Sequence, residues 1–288
     1  MREYNFKTAK DLLSICDSEG ISISEAMLRR ESQLGGYSGQ ALMDKIDERL
    51  RVMERSTERA GEEPVASMGG LIGGQAKAVA EMPAEKSICG STVHKAIVYA
   101  LAVSEVNASM GLIVAAPTAG ASGVIPGALL SVYEDNDLDV EALRRALVCA
   151  GAIGYLITLK GSVSGAEAGC QAEVGAASAM AAAALTEMLG GTPEQCCHAA
   201  SIAASNLLGL VCDPVRGLVE VPCQTRNTIG ATGAITAAEL ALAGVTSPVP
   251  LDEMIQIVSD VGRTLPESLR ETGKGGCAAA PSVCANCK

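Results

Sequence analysis

The sequence predicts an all-α fold: a single helical domain, rich in alanine and glycine, over residues 1–274, with a flexible Cys-containing C-terminal tail over 275–288. Three observations predict it. Sustained apolar–polar alternation, the mark of a half-buried strand, is hard to find, and the strand–helix–strand rhythm of a parallel sheet is absent. From Val93 to about Gly244 the chain is dominated by Ala, Gly and small polar residues. With 31 Gly, five Tyr, one Phe and no Trp in 288 residues, the core must be built from Ala, Val, Leu, Ile and Met with close glycine contacts, which suits tightly packed helices. No internal repeat of fixed period stands out.

Residues 8–60 read as helical and polar. Leu12, Leu13, Ile15 and Cys16 precede a turn at Ser18-Glu19-Gly20, and Ser22 to Glu25 has the form of a capping box before Ala26, Met27 and Leu28. Asp44 to Arg59 alternates acids and bases at helical spacing, as a solvated face does. Residues 61–92 carry the breakers Gly61, Pro64, Gly69, Gly70, Gly73, Gly74 and Pro83, and form either a linker or a loop-rich floor to a site. Helices are then expected over Val93–Asn107, Ser122–Glu134 and Val140–Lys160, with a short apolar run at Leu112–Pro117. Gly165–Leu189 reads as one long buried helix, because Ala dominates and few charges interrupt it. Pro193–Leu210 reads as another, with Thr192 as its N-cap. After Gly273 no helical periodicity is left.

Charge and cysteine content bound the function. Twenty-two Lys and Arg face 33 Asp and Glu, for a net charge of −11. That balance argues against a nucleic-acid or anionic-membrane binder, which needs surplus Lys and Arg. A hydrophobic content of 48% with 19% charged residues rules out a wholly disordered chain. The longest apolar stretches, such as Val174–Thr186, run to ~13 residues where a membrane span needs ~20. Eleven cysteines, an odd number in a long chain whose first residues Met1-Arg2-Glu3-Tyr4-Asn5 show no apolar signal segment, point to a cytoplasmic protein with reduced thiols. In that compartment a set of cysteines means metal, cluster or catalysis more often than disulfides.

The cysteines separate by context. Cys16, Cys149, Cys196 and Cys197 lie in apolar helical neighbourhoods and read as small core residues. Cys170, Cys212 and Cys223 sit in polar, turn-forming sequence: Glu167 and Glu173 flank Cys170, Cys212-Asp213-Pro214 ends a helix, and Cys223 stands beside Gln224, Thr225, Arg226 and Asn227. These three are 42 and 11 residues apart, unlike the tight C-x2-C spacing of zinc ribbons or ferredoxins. A widely spaced trio suits either a cluster with three protein ligands and one open iron or a scatter of core thiols.

Four segments carry a resemblance. Gly161-Ser162-Val163-Ser164-Gly165-Ala166-Glu167-Ala168-Gly169-Cys170-Gln171 resembles the cluster motif of iron–sulfur-dependent L-serine dehydratases, as does Leu210-Val211-Cys212-Asp213-Pro214 followed by Val219-Glu220-Val221-Pro222-Cys223. Glu105-Val106-Asn107-Ala108-Ser109-Met110-Gly111 and Ala116-Pro117-Thr118-Ala119-Gly120-Ala121-Ser122-Gly123-Val124-Ile125-Pro126 are similar to two more of that family's signatures. The likeness runs from about residue 8 to about residue 276, in the right order, and corresponds to the alpha subunit of the two-chain type.

The resemblance implies a helical catalytic domain and a [4Fe–4S] cluster held by Cys170, Cys212 and Cys223, with no pyridoxal phosphate. It implies deamination of L-serine to pyruvate and ammonia, an open iron acting as Lewis acid on the hydroxyl leaving group. It also implies a separate beta subunit that completes the site. The turn formed by Thr118, Gly120, Ser122 and Gly123 becomes the expected holder of the serine carboxylate, since glycines leading into a helix expose backbone N–H groups. By itself such a segment reads equally as a tight loop.

Other residues carry weaker signals. Lys160 is a proton acceptor if desolvation lowers its pKa, and otherwise a surface lysine. His94 and His198, the two histidines, read as hydrogen-bonded or surface residues. Glu167 and Glu173 are acceptors that would orient the cysteine region, and Arg226 is placed to pair with a carboxylate, of substrate or of the fold. Arg216 departs from the family pattern, which has alanine there, and so do Cys277, Cys284 and Cys287 in the tail. Cys284 and Cys287 form a C-x2-C pair expected either to cap the open iron transiently or to have no role there. The alternatives kept open are a related iron–sulfur lyase acting on another small hydroxy or thiol amino acid, and a non-catalytic iron–sulfur subunit. A pyridoxal-phosphate route finds no Ser-x-Lys or Gly-Gly-Gly element to support it.

Overall fold

A computed structural model of the chain describes residues 4–283; Cys284 and Cys287 lie outside the described residues. Twelve α-helices are described: α1 (Ala9–Glu19), α2 (Ile23–Gly35), α3 (Gly39–Glu58), α4 (Gln75–Ala80), α5 (Gly90–Ala108), α6 (Val124–Asp135), α7 (Val140–Lys160), α8 (Gly165–Ala168), α9 (Ala176–Met188), α10 (Pro193–Asn206), α11 (Cys223–Leu242) and α12 (Leu251–Thr264). Among the described residues there is no strand, and one isolated bridge pairs Cys212 with Arg270. The fold is all-α, a single domain.

Helix α9 is the axle. Every residue of it except Glu187 is buried, as an all-round apolar helix requires. It packs against α6, α7, α10 and α11, and its run of alanines lets these neighbours approach closely. Leu143, Ile153, Leu156 and Leu185 fill the space between, each almost wholly excluded from solvent. α7 is long and apolar enough to cross a membrane, but much of it is buried in the protein core, where it packs on α2 and α9.

Local signals set most boundaries. Thr192 caps α10 in a full capping box with Gln195, with Pro193 at the first helical position, a device worth about 1 kcal/mol. Ser22 accepts the Glu25 N–H at the start of α2, and Asp139 accepts that of Glu141 at the start of α7. One expected helix is interrupted. Gly165–Leu189 is three pieces: α8, a break at Gly169 (φ 76°, ψ 175°), and a π-helical turn over Gln171–Gly175 that leads into α9. The Gln171 N–H turns out of the helical ladder to the Leu210 carbonyl, 3.0 Å away. Composition made this stretch look continuous, whereas a tertiary contact breaks it. α10 also ends at Asn206, so Cys212 lies in the loop beyond it and does not close a helix.

The glycine-rich stretch after α3 is tied to the loop that leads into Cys223. Gly69 and Leu71 donate their N–H groups to the two oxygens of Glu220, at 2.5 and 2.9 Å. Glu220 is 2% exposed. The carboxylate thus fastens this stretch to the loop that carries Cys212 and leads into Cys223.

Candidate metal centre

Three separate segments deliver the three cysteines. Cys170 stands between the Gly169 break and the π-helical turn. Cys212 is held in the loop after α10: its N–H donates to the Leu269 carbonyl at 2.9 Å and its carbonyl accepts the Glu271 N–H at 2.7 Å. Cys223 is the first residue of α11 and follows the cis Val221–Pro222 bond. All three are buried and line one cavity of about 370 Å³, together with Gly120, Glu173 and Glu271. The Cys170 and Cys212 sulfurs and a Glu173 carboxylate oxygen lie within 4.8 Å of one another.

Buried amides lace these segments together. Gln171, 1% exposed, uses its whole side chain. Its Nε2 donates to the carbonyls of Ala168 (2.9 Å) and Val258 (3.2 Å), and its Oε1 accepts the Gly209 N–H (2.9 Å). Asn227, also 1% exposed, does the same for the other wall. Its Nδ2 donates to the carbonyls of Gly120 (2.7 Å) and Cys223 (2.8 Å), and its Oδ1 accepts the Gly123 N–H (2.9 Å). The turn over residues 118–123 is therefore fixed to the first turn of α11. An unpaired amide in such a place costs about 1–3 kcal/mol, so both side chains are held by need as well as by fit.

The electrostatics favour one thiolate. Cys170 is shifted below the usual thiol range, first by the hydrogen bond it receives from Cys212 and then, against burial, by the Arg226 guanidinium. Cys212, the donor in that pair, is pushed up. Cys223 is raised to about 12, mainly by burial. Arg226 donates to the Val211 carbonyl at 2.8 Å and approaches Cys170 Sγ at 3.6 Å. It also lies 2.7 Å from Asp213 Oδ1, an ion pair rather than a well-aligned hydrogen bond. Burial alone would raise Asp213; the Cys277 N–H and Arg226 hold it below the usual carboxylate range. Burial raises Glu173, opposed by the nearby Thr118 hydroxyl.

The donor set suits a metal cluster. Soft thiol ligands select zinc, copper(I) or iron–sulfur groups. The space is kept open on purpose at Gly165, where a Cβ would meet Glu173 Oε2 at 2.5 Å and Cys212 Sγ at 2.9 Å. Thr118 contributes a buried hydroxyl beside Glu173.

Of the residues singled out from sequence, Cys170, Cys212, Cys223 and Gly120 meet at the cavity, and Thr118 Oγ1 stands close to Gly120. Ser122 is buried behind the turn, and the N–H groups of Ser122 and Gly123 are taken by the Ala119 carbonyl and Asn227. Lys160 is elsewhere: its Nζ pairs with Asp252 Oδ1 at 3.0 Å, and it does not line the cavity. His198 Nδ1 accepts the Ser247 N–H, and neither histidine reaches the cysteines. Arg226 pairs with a carboxylate of the fold, Asp213. The tail's first part is seated nearby: Gly276–Ala279 forms a 3-10 turn whose Cys277 N–H donates to Asp213 Oδ2 at 2.6 Å. Sequence reasoning missed Gln171, Asn227 and Glu271 as builders of the site. Buried amides beside cysteines in otherwise small-residue segments were the available signal for the first two.

Residues 18–278 match the family model described as serine dehydratase alpha chain. A probable L-serine dehydratase alpha chain of Bacillus subtilis (strain 168) is 47% identical over 278 residues, covering 96% of this chain and 92% of the relative. The L-serine dehydratase alpha chain of Peptoniphilus asaccharolyticus is 45% identical over 272 residues, 94% of this chain and 93% of the relative. An L-serine dehydratase of Escherichia coli (strain K12) is 40% identical over 285 residues, 96% of this chain and 62% of that longer protein.

Proposed function

The chain belongs to the serine dehydratase alpha-chain family, and on that premise we propose that it is the alpha subunit of an L-serine ammonia-lyase, a carbon–nitrogen lyase converting L-serine to pyruvate and ammonia. The observation that carries the reading is the meeting of Cys170, Cys212 and Cys223, from three distant segments, on one cavity beside the 118–123 turn. We assign these cysteines as the ligands of a [4Fe–4S] cluster. Three thiolates leave one iron without a protein ligand, and a cluster bound there supplies Lewis-acid chemistry for departure of the poor hydroxide leaving group.

The chain's own residues bind and orient. Thr118 offers a hydroxyl that stands beside Glu173 and Gly120, and Gly120 brings backbone to the cavity wall with no side chain in the way; these two are the proposed contacts of the serine carboxylate. Ser122 and Gly123, whose N–H groups are engaged within the fold, shape the turn. Arg226, 3.6 Å from Cys170 Sγ, favours the ligating thiolate form of that residue, and Gln171 and Asn227 hold the walls in register. Lys160, paired with Asp252, has no part in this account. Removal of the α-proton is assigned to a site completed by a separate beta subunit, and the protein is assigned to the cytoplasm, where thiols stay reduced.

The test is a serine-to-pyruvate assay on anaerobically reconstituted protein, with and without a beta chain of the same family. Turnover is expected only with both chains present. Full turnover by this chain alone would remove the beta subunit from the account, and none with either arrangement, at full iron loading, would remove the activity.

A further inference from the structure

A second Cys–Glu–Cys group lies at the far end of α9 from the candidate metal centre. The sulfurs of Cys149 on α7 and Cys196 on α10 and a carboxylate oxygen of Glu187 on α9 all lie within 4.8 Å of one another. Fourteen residues separate Glu187 from Glu173, about 20 Å at helical rise, so the two groups share no ligand. Cys149 and Cys196 are fully buried, and Cys16 on α1, 2% exposed, borders the same group.

The surroundings are one-sided. The groups acting on Cys149 are Cys196 and Glu187, and those acting on Cys16 are Glu187, Cys196 and Glu194, with burial dominant for both. Of the described groups that act most strongly on these two thiols, none is basic. The carboxylate of Glu187 accepts the Ser24 N–H, at 3.2 and 3.3 Å from its two oxygens, and a hydrogen bond from the Cys149 thiol, both neutral donors. Thiols used only as apolar filler need no carboxylate between them. Soft sulfurs with one oxygen, and no cation of the protein's own, are the complement of a thiophilic divalent ion.

We propose that Cys149, Cys196 and Glu187, with Cys16 as fourth donor, bind one zinc-class divalent cation that ties α1, α7, α9 and α10 together. Zinc–sulfur bonds of about 2.3 Å and zinc–oxygen bonds of about 2.0–2.2 Å bring ligand atoms to less than about 4 Å apart, which small side-chain rotations achieve from the present spacing of Cys149, Glu187 and Cys196. Each ligating thiol releases its proton to solvent and Glu187 enters as carboxylate, so three protons leave per ion bound. No electron is transferred. Because the three thiols are buried and Glu187 is half-buried, the ion enters as the chain folds and its role is structural.

The test counts zinc and iron in full-length protein made in zinc-supplemented medium, purified anaerobically with a reductant and dialysed against chelator. The wild type is expected to keep about one zinc per chain. Cys170→Ala should keep that zinc while losing iron. Cys149→Ala and Cys196→Ala should lose zinc at least about tenfold and keep iron. Should those two variants fail to fold, cobalt supplied in place of zinc to Cys170→Ala reads the same site by thiolate-to-cobalt absorption. A wild type without zinc, equal zinc in the Cys149 and Cys196 variants, or cobalt without thiolate absorption would each overturn the proposal. The outcome is independent of whether the protein turns over serine.

Discussion

Asn227 uses its whole side chain on three backbone groups, the carbonyls of Gly120 and Cys223 and the N–H of Gly123. It thereby couples the proposed carboxylate turn to the helix that carries a proposed cluster ligand. Asn227→Asp keeps the shape and the acceptor but removes both N–H donors, so the turn loosens while the cysteines stay. The expected result is a serine KM raised about tenfold, the effect of roughly 1.4 kcal/mol, with iron content unchanged. Steady-state kinetics and iron analysis on one preparation check it; an unchanged KM would assign Asn227 to stability alone. At this scale the sequence was informative about chemistry and poor about support. Cys170, Cys212 and Cys223 stood out because turn-forming residues surround them. The lacing by Gln171 and Asn227 was invisible because its partners lie up to 107 positions away in the chain. Lys160, read either as a proton acceptor or as a surface lysine, pairs with Asp252, a partner 92 positions away that the sequence alone does not reveal.

At the scale of the element, Gly169 decides the geometry. Its φ of 76° with ψ of 175° is a combination essentially reserved for glycine. A Cβ there would also meet the Leu210 carbonyl at 2.7 Å, in the loop that leads to Cys212. Gly169→Ala therefore presses on Cys170 and Cys212 together. Backbone strain of about 1–3 kcal/mol is expected, with a lower Tm and reduced iron retention; thermal denaturation and iron counting would show both. A variant with wild-type iron would mean that the α8–π-turn break does not set the cysteine spacing. The same element marks the limit of the sequence reading. Val140–Lys160 and the Thr192 cap were legible, because periodicity and capping are local. The Ala-rich run after Gly165 was read as one helix, because the hydrogen bond from Gln171 to Leu210 that breaks it is tertiary.

For the molecule as a whole, α9 joins two ends: the π-turn with Cys170 and Glu173 at one, and Glu187 between Cys149 and Cys196 at the other. The all-α class was legible from the missing alternation and the shortage of aromatics, both global properties of composition. The meeting of three cysteines 42 and 11 residues apart was expected from resemblance rather than from spacing, since nothing in one dimension specifies that such distant segments converge. As proposed above, these three hold the iron–sulfur cluster on which serine deamination depends. The most direct measurement is iron content and serine-dependent pyruvate formation in Cys170→Ala, Cys212→Ala and Cys223→Ala, each assayed with the beta chain. Cys89→Ala, which alters an exposed cysteine, serves as the control. The account predicts loss of the intact cluster and of activity in each of the three, with both retained in the control; a full four-iron complement and wild-type turnover in any one of the three would contradict it.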